Sequence, residues 1–203
     1  MRKLWLLILA VTAGAWWVMS RPTGTGAPPV DWRGELVQVE TGRPPFQIET
    51  GKGKVTLHPR ASFDAPGKVA AAERYRLDGG AFLSPVDVVL TWGKLPEEPY
   101  RSEIDYGQMT RYYFWRTGSP EIDLGYIQAH SSNMHLIPAT PNVRRALLGI
   151  GSGDAIRLKG LLVDASGENG FTWGTSMSRE DSGPGACELV WVEAVQVEKK
   201  LYR

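Results

Sequence analysis

Three histidines, one cysteine and 22 carboxylates are the side chains of this 203-residue sequence best suited to move a proton or attack a carbonyl carbon. Cys187 with His135 would supply a thiol nucleophile and its base, and Asp87 or Asp181 could orient the imidazole. A reactive thiol usually sits in an accessible, electropositive place. Cys187 instead follows Ala186 at the start of an apolar run, so the sequence favours a buried structural thiol. Asn133-Met134-His135 is the second cluster. If extended, it turns Asn133 and His135 to one face and Met134 to the other, and a polar pair could bind a ligand there or place His135 as a base. The bland alternative is that both side chains satisfy backbone groups.

The loop from Ser178 to Glu188 holds Arg179 and Asp181 close enough to pair, with Gly183-Pro184-Gly185 as a tight turn. Arg111-Tyr112-Tyr113-Phe114-Trp115 mixes a cation with aromatic rings that could stack on a sugar or a base, although such strands more often bury alternate rings in a core. The expected binding surface is thus Arg111, Asn133, His135, Arg179 and Asp181, with His135, Cys187 and Asp87 as catalytic candidates. No metal site is expected. His130 and His135 are five apart and face opposite ways on a strand, and no cysteine pair or acidic triplet completes a set with them or His58. Gly149 to Gly153 is glycine-rich but follows a helix and lacks a lysine, which argues against a phosphate loop. No cofactor is implied.

The elements that must carry these residues read as short strands between turns. Glycine (23), proline (14) and tryptophan (8) are plentiful, which suits strands more than long helices. Strands are expected at Glu35–Glu40, Phe46–Thr50, Lys54–His58 and Met109–Arg116; Lys68–Leu77 could be a strand or a helix, and the Asp78-Gly79-Gly80 turn after it favours a strand. Ala155–Lys159 and Leu161–Ala165 bend at Gly160, Asn169-Gly170 makes a hairpin turn, Phe171–Ser176 returns, and Glu188–Val197 closes. Ser84-Pro85, Ser119-Pro120 and Thr140-Pro141 each resemble a helix start, the first running to Trp92-Gly93, the second to about Ile127. The third is supported by Val143, Ala146, Leu147 and Ile150 at helical spacing. The fold class expected is mainly β (α+β), a small OB- or SH3-like barrel with two or three short helices.

Residues 1–20 carry Arg2 and Lys3, then an uncharged run from Leu4 to Met19 with Trp16 and Trp17 near its end. As a helix this run covers roughly 24 Å, short of the ~30 Å hydrocarbon core but close enough for local thinning to accommodate. It reads as a single-pass anchor in a bacterial inner membrane, with residues 21–33 as a linker and 34–203 as one domain in the periplasm. Ala13-Gly14-Ala15 also fits a cleavage site, which would release the domain after Ala15. Without Arg2 and Lys3 the chain carries 21 basic and 22 acidic residues. That balance argues against nucleic-acid binding.

Several motifs together resemble an uncharacterised proteobacterial family of small proteins with an N-terminal membrane anchor and a β-rich extracytoplasmic domain. They are Ser84-Pro85-Val86-Asp87 before Trp92-Gly93, Arg111-Tyr112-Tyr113, Ser132 to Ala139 (SNMHLIPA), Gly153-Asp154 with Gly160 to Val163, Thr175-Ser176, and Ser178 to Glu188. The resemblance spans about residues 68–193 and implies a shared fold and location but no reaction. The reading favoured by the sequence is a non-catalytic periplasmic module that binds an envelope protein or cell-wall component. Its rivals are an envelope hydrolase with His135 as general base and an oligonucleotide-binding OB-like domain.

Overall fold

Residues 21–179, 181, 183 and 185–203 are described in a computed structural model. The anchor expected at residues 1–20 lies outside the described residues. Among the described residues no helix is long and apolar enough to cross a membrane.

Strand pairing organises the chain. After β1 (Thr25–Gly26), β2 (Val37–Glu40) and β3 (Phe46–Thr50) comes β4 (Gly53–Arg74), a 22-residue strand long enough to serve several partners. β2 and β3 pair antiparallel with β4. Next come β5 (Val86–Thr91), β8 (Ser131–Pro138), β9 (Ala155–Gly167) and β11 (Glu188–Val197). β4 pairs with β5, β5 with β8, β8 with β11, β11 with β9, and β9 with β4. Each of the five thus has a hydrogen-bonded neighbour on both sides within the set. Only β8 and β11 run parallel. β10 (Thr172–Trp173) and β12 (Lys200–Tyr202) extend the edges, while β6 (Asp105–Met109) and β7 (Tyr112–Arg116) form a separate hairpin.

The helices are short. α1 is Tyr100–Glu103, α2 Leu124–His130 and α3 Pro141–Leu147. α3 begins as the sequence predicts, with the Thr140 hydroxyl accepting from the Val143 N–H at 3.1 Å and Pro141 in the first turn. α2 starts later than expected, capped by Asp123 rather than Ser119. The helix expected after Ser84-Pro85 is instead the central strand β5. Val86, Val88 and Val89 are stiff β-branched residues, and every position of VDVVLT is buried. The strand expected over Met109–Arg116 breaks at Thr110-Arg111 into the β6–β7 turn. Residues 21–33, read as a linker, run against the domain: Thr23 and Asn142 exchange hydrogen bonds, and β1 pairs with β12.

Alternation sorts the side chains. Val86, Val88, Leu90, Met134, Leu136, Val190 and Val192 share one buried cluster with Phe63, Leu158, Leu162 and the apolar face of α3. Each fully buried residue of this kind contributes roughly 1.5–3 kcal/mol. The opposite face of β5 and β8 carries Asp87, Asn133 and His135, all buried. The β6–β7 hairpin covers that polar face.

Candidate active site

Register, more than sequence distance, assembles the site. Asp87 on β5 and His135 on β8 are direct cross-strand partners. Parallel pairing of Glu188 with Met134 sets Cys187, one residue before β11, beside the same polar face. His135 Nδ1 lies 2.9 Å from Asp87 Oδ2. The ring N–H is not aimed along that line, so the contact is an ion pair rather than a well-directed hydrogen bond. The Cys187 sulfur lies near enough to the same ring to raise its pKa, while the thiol itself points toward the Arg111 carbonyl at 3.9 Å. Burial works against a charge on His135, but Asp87 and the Cys187 sulfur outweigh it, and the pKa is pushed up to about 9.

Arg111 closes the site from above. It occupies the hairpin turn with Thr110, at φ of 73° and 50° respectively, both in the left-handed region that non-glycine residues seldom adopt. This conformation puts every polar group of Arg111 to use. Its guanidinium donates to both Asp78 oxygens, to Asp87 Oδ1 at 2.8 Å and to the Ser84 carbonyl. Its N–H donates to the Tyr75 hydroxyl, and the Tyr75 ring lies 3.8 Å beneath the guanidinium. Its carbonyl accepts from Asn133 Nδ2 at 2.9 Å. Partial burial of Asp78 opposes its charge, but Arg111 and the Gly80 N–H hold its carboxyl below the ordinary range. Burial above all, with Asp87 and Glu73 nearby, pushes the Tyr75 hydroxyl up to about 12.

Asn133 is equally committed. Its Oδ1 accepts from Gln108 at 2.7 Å, while Nδ2 donates to the Arg111 carbonyl and toward Cys187 Sγ at 3.6 Å. Arg111 and Asn133 therefore do not offer free groups to a ligand, as the sequence had suggested; they position Asp87 and Cys187. Nor do Arg179 and Asp181 pair. Arg179 bonds to Glu188 and to Gln38, and Asp181 accepts from the Ser176 hydroxyl at 2.6 Å. The reason is burial: the nearly inaccessible Glu188 carboxylate needs a cation more than exposed Asp181 does.

Two clefts flank the thiol. One, of about 620 Å³, is lined by Asp78, Arg111, His135, Phe171, Trp173 and Cys187. The other, of about 210 Å³, is lined by Tyr113, Trp115, Ser132, Arg179, Glu188 and Cys187. Cys187 is half-buried and lines both. The structure thus brings the separate sequence candidates Asp87, His135, Cys187, Asn133 and Arg111 into one cluster, with Arg179 and Asp181 across the thiol from it; sequence reasoning finds the residues but not their convergence. It misses Asp78, read only as part of a turn, and Trp173, whose ring centroid is 4.7 Å from that of His135. Only the Asp78-Gly79-Gly80 turn marked the first, and no motif marked the second. In the aromatic strand Tyr113 and Trp115 turn inward while Tyr112 and Phe114 stay exposed. Among the described residues no group of three or more potential ligands is placed to hold a metal ion.

Comparison with protein-family models, with curated proteins and with solved structures returns no match.

Proposed function

We propose that this chain is a thiol hydrolase in which Cys187 is the nucleophile, His135 the proton carrier and Asp87 the group that holds the imidazole. One observation carries this reading: the polar groups of Arg111 and Asn133 are spent on the site's own scaffold, and the reactive group left lining both clefts is the Cys187 thiol, beside an imidazole backed by a buried carboxylate. The step balances without another reagent. The sulfur attacks an ester or amide carbonyl carbon, its proton residing on His135. The carbonyl–leaving-group bond breaks, His135 gives its proton to the departing atom, and a thioester remains on Cys187. Water, deprotonated by His135, then releases the carboxylic acid and restores the thiol. The second N–H of Asn133, directed at Sγ, stabilises the negative charge that sulfur carries before attack and regains when the thioester breaks.

The architecture inferred is a closed five-stranded OB-like barrel. The circular pairing β4–β5–β8–β11–β9–β4, the single parallel pair and the position of α3 between β8 and β9 support it. In such barrels the second and third strands present the binding face, and here those strands carry Asp87, Asn133 and His135. This is fold-level analogy for where a ligand sits, and it leaves the chemistry to the residues. The charged and apolar pattern of residues 1–20, with the proteobacterial resemblance, supports a domain held outside the inner membrane and acting on an envelope component. The oligonucleotide alternative shares the OB-like face, but its cations are consumed by Asp78, Asp87 and Glu188.

Incubation with p-nitrophenyl acetate tests the reaction. The expected result is release of nitrophenol with an acetyl group found on Cys187 by peptide mass spectrometry, absent in Cys187→Ala and strongly reduced in His135→Gln. Equal turnover by Cys187→Ala would overturn the proposal.

A further inference from the structure

The two clefts divide the substrate between them, and their contents say which half goes where. Cys187 lines both, so a bond attacked by its sulfur has one end in each. His135 lines only the wide cleft. A general acid must stand on the side of the atom it protonates as that atom leaves. The leaving group therefore occupies the wide cleft, and the acyl group, which stays on sulfur, occupies the narrow one.

Size and charge narrow the class further. About 620 Å³ falls within the range of ordinary small-molecule sites, whereas about 210 Å³ falls below it. The narrow cleft is walled by Tyr113 and Trp115, both anchored: the Tyr113 hydroxyl donates to the Ser131 carbonyl, and Trp115 packs against the Leu95–Ile104–Ile122–Ile127 cluster. Its Arg179 and Glu188 neutralise each other, with Ser132 donating to the same carboxylate. In the wide cleft Arg111 is matched by Asp78 and Asp87. A charged group entering the wide cleft would have to break an existing ion pair, and an anion entering the narrow one would also meet the Asp181 carboxylate, which accepts from the Ser176 hydroxyl.

We infer that the substrate is an ester, thioester or amide joining a short acyl group without negative charge to a bulky, uncharged leaving group, the acyl part lodging between Tyr113, Trp115 and Ser132. This rests on the thiol reading above.

A series of p-nitrophenyl esters with acetyl, butyryl, hexanoyl and octanoyl groups separates the two. The full-length protein is expected to show a nitrophenol burst whose rate falls about tenfold or more from acetyl to octanoyl. Succinyl, an acyl group of butyryl length with a carboxylate, is expected to acylate more slowly than butyryl. Trp115→Leu, checked for an unchanged melting profile, shifts the optimum toward longer chains. A burst that is flat or rises with chain length overturns the assignment of the clefts while leaving Cys187 as nucleophile. Absence of any burst and of any acyl-Cys187 across the series overturns the thiol reading and the inference together.

Discussion

Asp87 stands at the centre of the site because one fully buried carboxylate serves three partners. Oδ1 takes hydrogen bonds from Arg111 and Ser84, and Oδ2 faces His135. Removing it leaves a cation and an imidazole underground without a counter-charge. Asp87→Ala is therefore expected to destabilise the fold by about 3–5 kcal/mol in chemical denaturation, well beyond the cost of a typical substitution. The imidazole sets a pH signature. Its pKa of about 9 lies above the unfolded value of 6.5, so the charged ring's contribution is complete below about pH 6.5 and is lost as the pH rises through 9. Denaturation midpoints of the wild type should decline between those values more steeply than those of His135→Gln. Turnover of an unactivated alkyl ester should fall on the same alkaline limb, because the deprotonated ring no longer has a proton for the alkoxide leaving group.

At the scale of elements, the β6–β7 hairpin earns scrutiny for its turn. Thr110 at φ 50° is a β-branched residue in the left-handed region, which costs roughly 1–2 kcal/mol. Thr110→Asn is expected to raise stability by about 1 kcal/mol, read as an increased denaturation midpoint, because asparagine tolerates that conformation. Arg111 endures similar strain because its guanidinium is fixed between Asp78 and Asp87. Gly160 makes the opposite case. A Cβ there would lie 1.8 Å from the Trp191 carbonyl oxygen, beside the irregular register between Val192 and Ala194. Gly160→Ala should push β9 from β11 and lower the melting temperature by roughly 6–12 °C, on the order of 3 kcal/mol. The bend at Gly160, the final strand and the cap of α3 were legible because glycine, alternation and threonine-proline are local signals. β5 was misread because Ser84-Pro85 mimics a helix start, whereas the valines that decide for a strand do so through neighbours on both sides. The hairpin turn left no trace, since Thr-Arg carries none of the residues that favour φ above zero.

Considered as a whole molecule, the chain brings its chemistry together through long-range register, and that is what the sequence conceals. Asp87, His135 and Cys187 are far apart along the chain and become neighbours only because β8 lies between β5 and β11. The single residues were visible as candidates; their convergence, and the pairing of Arg179 with Glu188 instead of Asp181, depends on which carboxylate the fold buries. The proposed location is testable at this scale too. Protease added to spheroplasts is expected to digest the domain, with a cytosolic control left intact; protection of the domain would place it inside.

The most direct test of the central claim is the rate at which iodoacetamide alkylates Cys187 at pH 7 in the native protein and in urea. With protonated His135 against the sulfur, native wild type should react at least as fast as the unfolded chain, and Asp87→Asn and His135→Gln should each slow the native reaction. A native thiol that reacts only once denaturant opens the fold, unchanged by either substitution, would contradict the account.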